Sequence, residues 1–276
     1  MTGSTRVMSR RTFLRDLGHG AFALTVIGLT GCTRGPAPTV EPTRTFDPLT
    51  YVGNLDEIES FWCNGPLPRT DPALGAGRDP TVPPRWARIG EPNSSGYVLV
   101  RGGEATVVDT GQWCVPDVIE AGLTSVGLDW SAVGSVIVTH KHPDHWIGLP
   151  TALERAPDAA VFAGAPDIPH IASARPIVAV GAGDRVMGLA IIPTPGHTPG
   201  HIAVHDEAAG VLVVGDAIAW SPTHGFDLLP TTEDVPQARA SLNILAQLSF
   251  DTLLAGHGFP LIGDASQALT DYLARG

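Results

Sequence analysis

Basic residues are scarce in this sequence. Its 276 residues include 17 Lys and Arg against 28 Asp and Glu, which gives a formal net charge of −11 at pH 7. No segment after residue 15 gathers basic side chains. Such a chain presents no positive surface to a phosphate backbone, so we expect no nucleic-acid partner. The composition does not predict the oligomeric state.

Apolar runs long enough to cross a membrane are also absent from the sequence. The run at residues 21–30 is shorter than the roughly 20 residues that a membrane-spanning helix needs. It follows SRRTFL at 9–14, which reads as a twin-arginine export signal, and it ends in LTGC at 29–32, which resembles a bacterial lipobox. In this order the motifs predict a signal peptide over 1–32 and export by the twin-arginine route. They also predict lipid attachment at Cys32 and anchoring to the outer face of the bacterial cell membrane. The alternative is an amphipathic or buried N-terminal helix with an ordinary cysteine.

Cysteine is the third scarce feature, with three residues in the whole chain. Once Cys32 is assigned to lipidation, Cys63 and Cys114 remain in a chain that we expect to face an oxidising compartment. The sequence leaves open whether they form a disulfide or stay free. Residues 33–50 are rich in Pro and Thr and are predicted to be a tether for a folded domain over 51–276.

Glycine and proline are abundant, with 32 and 25 residues, which suits many tight loops between strands and helices. Apolar runs of strand length alternate with helical patterns, and paired strands occur near both ends of the domain. This order predicts a mixed α/β layered domain. The predicted strands are 97–101, 105–109, 133–139, 159–163, 177–180, 186–192, 201–205, 211–214 and 252–255, and the predicted helices are 116–128, 149–155, 235–248 and 265–274.

The most informative segment is THKHPDH at residues 139–145, which holds three of the ten histidines directly after an apolar strand. A loop at a strand end can aim alternate side chains at one point. His140 and His142 can then share one metal ion while Asp144 and His145 turn toward a second. Imidazole and carboxylate without a nearby thiolate suit zinc or another borderline divalent ion. The alternative is a solvated loop of histidines.

Further candidate ligands are His197 in TPGHTPGH (194–201), Asp216 in VGDA (214–217) and His257 in AGHG (255–258). Each follows a predicted strand and lies at a turn marked by glycine. Together with the histidine segment, these motifs resemble the metallo-β-lactamase superfamily over about residues 97–257. The resemblance implies the αββα sandwich of that fold, a small-molecule substrate and two divalent metal ions, zinc first, with Mn, Fe or Co as alternatives. It also implies ligands for the first metal at His140, His142 and His197, for the second at Asp144, His145 and His257, and a bridging carboxylate at Asp216.

The resemblance further implies that Asp109, in VVDTG at 107–111, accepts a hydrogen bond from a ligand histidine. An ordinary turn aspartate is the alternative. His201 is predicted to be structural, and His170, His205 and His224 are assigned to surface or core. Trp62, Trp113, Trp146 and Trp220 fit either a pocket lining or ordinary core.

Two divalent ions roughly 3.5–4 Å apart can hold a hydroxide and polarise a carbonyl or phosphoryl oxygen. The resemblance therefore predicts an exported binuclear metallo-hydrolase in which Asp144, besides binding metal, orients the hydroxide. Members with a carboxylate at the position of Asp216 mostly act on esters, lactones or thioesters, whereas members that hydrolyse β-lactams lack it. Di-iron relatives that transfer electrons have glutamate where this chain has His142. A β-lactam hydrolase and a non-catalytic metal-binding protein on the same fold remain the alternatives.

Overall fold

The computed structural model describes residues 85–275, apart from 91–93 and 112–115. The predicted signal peptide and tether lie outside the described residues. The cysteines, Trp62 and Trp113 do so as well, so the predictions about them stay predictions. Within the described part of the chain, no helix combines the length and apolar character needed to cross a membrane.

The first of two large sheets contains six strands that neighbour one another in chain order. The first three are antiparallel, and the rest continue in parallel from the third. Gly102 and Gly103, with φ angles of 61° and 87°, form the tight turn between the second and third strands. The strands are β1 (Trp86–Gly90), β2 (Ser95–Arg101), β3 (Glu104–Val108), β4 (Val133–Val138), β5 (Ala160–Gly164) and β6 (Ile177–Val180).

The second sheet also has six strands, which are β7 (Arg185–Val186), β8 (Leu189–Pro193), β9 (Ile202–Asp206), β10 (Val211–Gly215), β13 (Thr252–Ala255) and β14 (Leu261–Ile262). Their order in the sheet is β14-β13-β10-β9-β8-β7. β10 and β13 are parallel, and the other neighbours are antiparallel. A separate hairpin joins β11 (Ala219–Ser221) to β12 (Gly225–Asp227).

Five α-helices occur in the described residues: α1 (Pro116–Ser125), α2 (Pro143–Trp146), α3 (Leu149–Arg155), α4 (Val235–Leu245) and α5 (Ala265–Ala274). The two sheets face each other across a buried core to which Tyr97 and Ile137 contribute from one sheet and Val204 and Leu254 from the other. A second core packs α4 and α5 on the outer face of the second sheet. α1 covers the outer face of the first sheet, where Gly122 lies against Ile89 and Val98. These layers confirm the predicted αββα sandwich.

The structure departs from the predicted elements in three ways. The predicted strand 186–192 is a hairpin of β7 and β8, because Met187 and Gly188 both adopt positive φ and reverse the chain. The predicted helices 116–128 and 235–248 end earlier, at Ser125 and Leu245. The histidine segment at residues 139–145, called the histidine loop below, contains the start of the single helical turn α2. This turn begins at Pro143, a residue whose fixed φ suits the first helical position.

Candidate metal centre

All the candidate ligands, together with Asp109, lie in segments that follow strands, at one edge of the sandwich. Asp109 and His140 follow the parallel strands β3 and β4, while Asp216 and His257 follow the parallel strands β10 and β13. β8 runs in the same direction as β10, so the loop with His197 reaches this edge too. Backbone hydrogen bonds join the two sheets here, from Ser95 N to Gly256 O and from Ile202 N to Thr139 O. Residues distant in the chain thus meet at one place.

The first ligand group comprises His140, His142, His197 and Asp216. His142 Nδ1 lies 3.1 Å from His140 Nε2 and 2.9 Å from His197 Nε2. Asp216 Oδ2 lies 3.3 Å from His197 Nε2 and 3.7 Å from His140 Nε2. Three imidazole nitrogens and one carboxylate oxygen point at the same place, and a single ring proton cannot form hydrogen bonds with all of them. These four atoms are instead the kind of ligands that bind zinc and similar divalent ions.

The second ligand group comprises Asp144, His145 and His257. Asp144 Oδ2 lies 3.5 Å from His145 Nε2 and 3.4 Å from His257 Nε2. Asp216 also reaches this group, with Oδ1 at 3.4 Å from His145 Nε2 and Oδ2 at 3.2 Å from His257 Nε2. Its carboxylate therefore stands between the two groups.

Two buried atoms of this centre, His145 Nε2 and Asp216 Oδ1, have no hydrogen-bond partner. Buried polar atoms are usually paired, so orphaned atoms of this kind at a cluster of imidazoles and carboxylates fit bound cations. The predicted ligands thus come together as two groups that could hold two metal ions.

Burial favours the neutral form of the three histidines in the first group. Burial, followed by the charge of His145, lowers the pKa of His140 well below its ordinary value. Burial likewise lowers the pKa of His197 to about 4 and lowers the pKa of His142. Neutral imidazole is the form that binds a metal ion, so these rings need not release a proton first.

In the second group the pKa values of the histidines are raised instead of lowered. Burial acts to lower the pKa of His145, but the charges of Asp216, Asp144 and Asp109 raise it well above its ordinary value. Burial also opposes the charge on His257, yet Asp216 and a hydrogen bond with Asp144 raise its pKa to about 10. The same interactions favour the ionised form of the Asp216 carboxylate. Burial would raise its pKa, but His257 and His145 hold it well below the usual range. Without a cation, carboxylates and histidinium groups therefore compensate one another here.

A family model described as "Metallo-beta-lactamase superfamily" matches residues 89–257 of this chain, a segment that contains every candidate ligand. The chain belongs to this superfamily. Its relatives include the hydroxyacylglutathione hydrolase of Methylobacillus flagellatus, which is 33% identical over 174 residues, covering 59% of this chain and 61% of that enzyme. Thioesterase pkgB of Emericella nidulans is 27% identical over 186 residues, covering 65% of this chain and 49% of that enzyme. The chain thus spans only about half to three fifths of the length of these two relatives.

Among solved structures, TTHA1623 in a di-iron-bound form is similar to this superfamily member, with a TM-score of 0.52 and 25% sequence identity. The similarity covers 63% of this chain and 91% of TTHA1623.

Asp109 contacts a candidate ligand histidine in this superfamily member, which is the contact that the resemblance implies. Its buried Oδ2 accepts a hydrogen bond from His145 Nδ1 at 2.8 Å, which leaves Nε2 free to bind a metal ion. The same carboxylate accepts from Thr139 N and Thr139 Oγ1, at 2.7 and 2.8 Å. Because the Thr139 hydroxyl donates its hydrogen bond to Asp109, its oxygen is left to accept a hydrogen bond from His140 Nδ1, at 3.0 Å. Sequence reasoning missed Thr139, since threonine before the motif has no distinctive pattern.

His201 lies beside the first group but outside it, in agreement with the structural role that the sequence predicts. Its Nε2 accepts a hydrogen bond from Asp216 N at 3.0 Å, and its Nδ1 pairs with Thr194 Oγ1 at 2.7 Å. Burial lowers the pKa of His201 to about 3, which keeps this acceptor nitrogen unprotonated. His201 therefore fixes the backbone of Asp216.

Other predicted residues divide between core and surface. Trp146 is buried and donates from Nε1 to Lys141 O at 2.7 Å, so it supports the histidine loop from the core. His205 is buried against Ser249 O, while His170 and His224 are exposed. Trp220 is half-buried and forms a β-bridge with Gly258, next to His257.

Arg88 was not identified from the sequence. Its guanidinium donates to Ser95 Oγ and, at 2.8 Å, to Gly258 O, so that β1 holds the loop that carries His257.

Proposed function

We propose that this chain is a metal-dependent hydrolase that directs an activated water at the carbonyl carbon of an ester, lactone or thioester. The observation that carries the proposal is the position of Asp216, whose carboxylate lies within 3.7 Å of ligand nitrogens from both groups. Two divalent ions, when bound, lower the pKa of a water molecule and polarise the substrate's carbonyl oxygen. Zinc fits the donor set best, and the di-iron form of TTHA1623 supports iron as the alternative.

The chain's own residues would divide the work by exposure. His140, His197 and Asp216 are buried and fix the position of the centre. Asp144 and His257 keep 28% and 20% of their side chains exposed, and His142 is half-buried, so the substrate would approach from the side that these three residues share. Burial acts to raise the pKa of Asp144, but His145 and His257 lower it, which leaves an ionised carboxylate. Asp144 can therefore orient the attacking water and accept its proton.

The charges around the centre favour a neutral substrate. Lys141 lies between two ligand residues, but its Nζ is 2.7 Å from Glu233 Oε1 and is thus neutralised. Arg88 is engaged with Ser95 and Gly258. The Lys141 charge is thus compensated, and two nitrogens of the Arg88 guanidinium are occupied by neutral oxygens, which supports neutral esters, lactones and thioesters as substrates. The names of the two enzyme relatives support the thioester arm in particular.

Substrate preference is testable on one metal-replete preparation of the protein. We expect activated aryl esters, acyl lactones or acyl thioesters to be turned over with at least about tenfold higher kcat/KM than penicillins and cephalosporins, a difference of about 1.4 kcal/mol. Equal or better β-lactam turnover would support the β-lactam alternative. No turnover of either class by a fully loaded protein would favour a metal-binding protein without catalysis.

We also propose that the protein is exported and attached to the membrane through a lipid on Cys32, with its domain facing outward. The order of SRRTFL and LTGC supports this. In the native host, Cys32→Ser should abolish lipidation and membrane partition, whereas the control Cys63→Ser should leave both intact. Recovery of unmodified chain with Met1 intact from the cytoplasm would refute the proposal.

A further inference from the structure

A buried carboxylate outside both ligand groups contacts two of the ligand-bearing loops. Asp167 follows β5 and is completely buried. It has no place among the candidate ligands, and nothing in its local sequence, GAPDIPH at 164–170, marks it.

The partners of Asp167 come from separate parts of the chain. Its Oδ2 accepts hydrogen bonds from Lys141 N at 2.9 Å and from Thr198 Oγ1 at 2.5 Å. Its Oδ1 accepts from Gly200 N at 2.9 Å. Lys141 stands between His140 and His142, and Thr198 follows His197. One carboxylate therefore joins the two loops that supply all three histidines of the first group.

The backbone around Asp167 leaves little space for adjustment. A Cβ atom at Gly200 would lie 2.6 Å from Asp167 N and 2.7 Å from its Oδ1, and a Cβ at Gly164 would collide with Gly200 O. Glycine at both positions allows the loops to approach Asp167 this closely. Because the packing leaves Asp167 little room to move, its hydrogen bonds can fix the positions of the two loops.

The chemistry of the partners selects a carboxylate. All three are donors, and an ionised aspartate is an acceptor only, whereas asparagine would direct its NH₂ group at one of those donors. The Lys141 ammonium pairs with Glu233 instead of Asp167. The hydrogen bonds from the backbone and from Thr198 thus hold this carboxylate.

We propose that Asp167 is a positioning residue for the first metal-binding group, which holds the His140–His142 loop in register with the His197 loop. His142 Nδ1 and His197 Nε2 are 2.9 Å apart, and Asp167 joins the main chains of their loops at Lys141 N and Gly200 N. The second group should depend on Asp167 far less, because Asp109 orients His145 and Arg88 holds the loop of His257. The inference rests on the proposed function only in that the first group binds a metal ion.

The test compares Asp167→Asn with wild type and with Asp206→Asn. Asp206 is also a buried carboxylate with a backbone donor, Ala209 N, but it lies at the opposite end of β9 from the centre. Metal-free protein of each kind is titrated with Co²⁺ and Zn²⁺ against a competing chelator, without substrate. The titration is repeated in a His257→Ala background to isolate the first group and in a His142→Ala background to isolate the second.

We expect Asp167→Asn to weaken metal binding by the first group about 10- to 100-fold, the range typical for residues that orient ligands, and to change the Co²⁺ absorption of that group. The second group and the Asp206→Asn variant should stay within about threefold of their references. The inference is overturned if Asp167→Asn leaves the first group's affinity unchanged. It is also overturned if both groups weaken equally as the Tm of the metal-free protein falls, since that marks a role in the fold alone. Wild-type protein that binds no divalent ion would overturn the proposed function itself, whereas a loaded protein without hydrolase activity would leave the role of Asp167 intact.

Discussion

The two ligand groups share Asp216 but differ in exposure and in proton load. The first has three histidines whose pKa values are lowered, mainly by burial. The second has two histidines whose pKa values are raised by surrounding carboxylates despite burial, and it reaches the solvent through Asp144 and His257. The same residue type is thus held neutral in one group and protonated in the other. The histidines of the first group can therefore bind a metal ion without losing a proton, whereas an ion that binds the second group must displace protons.

The largest effect should come from the residue that the groups share. We expect Asp216→Ala to lower metal content at both groups and kcat/KM by at least about 10³-fold, or ~4 kcal/mol, because both groups lose a ligand atom at once. Elemental analysis and ester hydrolysis on the same samples measure this. The matched variant Asp206→Ala removes a buried carboxylate at the end of β9, away from the centre, and should retain both ions. Full metal content in Asp216→Ala would show that the groups do not depend on a common carboxylate.

The next effect separates the groups. His142→Ala and His257→Ala each remove a half-buried imidazole, one from each group. We expect each variant to lose mainly one ion and to lower kcat/KM about 10²-fold, or ~2.7 kcal/mol. Metal-to-protein ratios and Co²⁺ spectra should differ between the two variants. Loss of both ions in either variant alone would mean that the groups form one cooperative site, and the comparison above would fail.

The smallest effect per step of the measurement is the pH dependence of metal binding, about tenfold for each pH unit. Because the pKa of His257 is raised from 6.5 to about 10 in the metal-free protein, this ring carries a proton at neutral pH. Apparent affinity at the second group should therefore rise with pH, by about tenfold per unit for each proton displaced, and the contribution of His257 should level off near pH 10. The first group should show little change above pH 7, because its histidines are already neutral. Calorimetry in buffers of different ionisation enthalpy counts the released protons, and equal counts for both groups would contradict this difference.

Much of the fold could be predicted from the sequence because its elements carry local signals. The strand before the histidine segment, the helices 149–155 and 265–274, and the Gly102-Gly103 turn all follow from apolar periodicity and glycine. The β7–β8 hairpin could not be predicted in this way, because Met187 is apolar and extends the run of strand-like residues across the turn. A local pattern cannot show a reversal that only the backbone conformation reveals.

The candidate site divides in the same way. Its ligands stand in short motifs that can be read directly, and Asp109 could be added from the resemblance. Thr139, Arg88 and Asp167 could not, because each acts through hydrogen bonds to main-chain or side-chain atoms that meet only after folding. Asp167 lies 26 residues from Lys141 and 31 from Thr198. Sequence motifs therefore reveal the atoms that point at the metal ions, and the structure reveals what holds those atoms in place.

The most direct test of the central claim is a single titration of metal-stripped domain with Zn²⁺, with elemental analysis and ester hydrolysis measured at each step. We expect occupancy to reach close to two ions per chain and activity to rise as the second group fills. Wild-type-like hydrolysis by the fully stripped sample would contradict a function built on the two ligand groups that share Asp216. So would a protein that binds no ion in the presence of excess Zn²⁺.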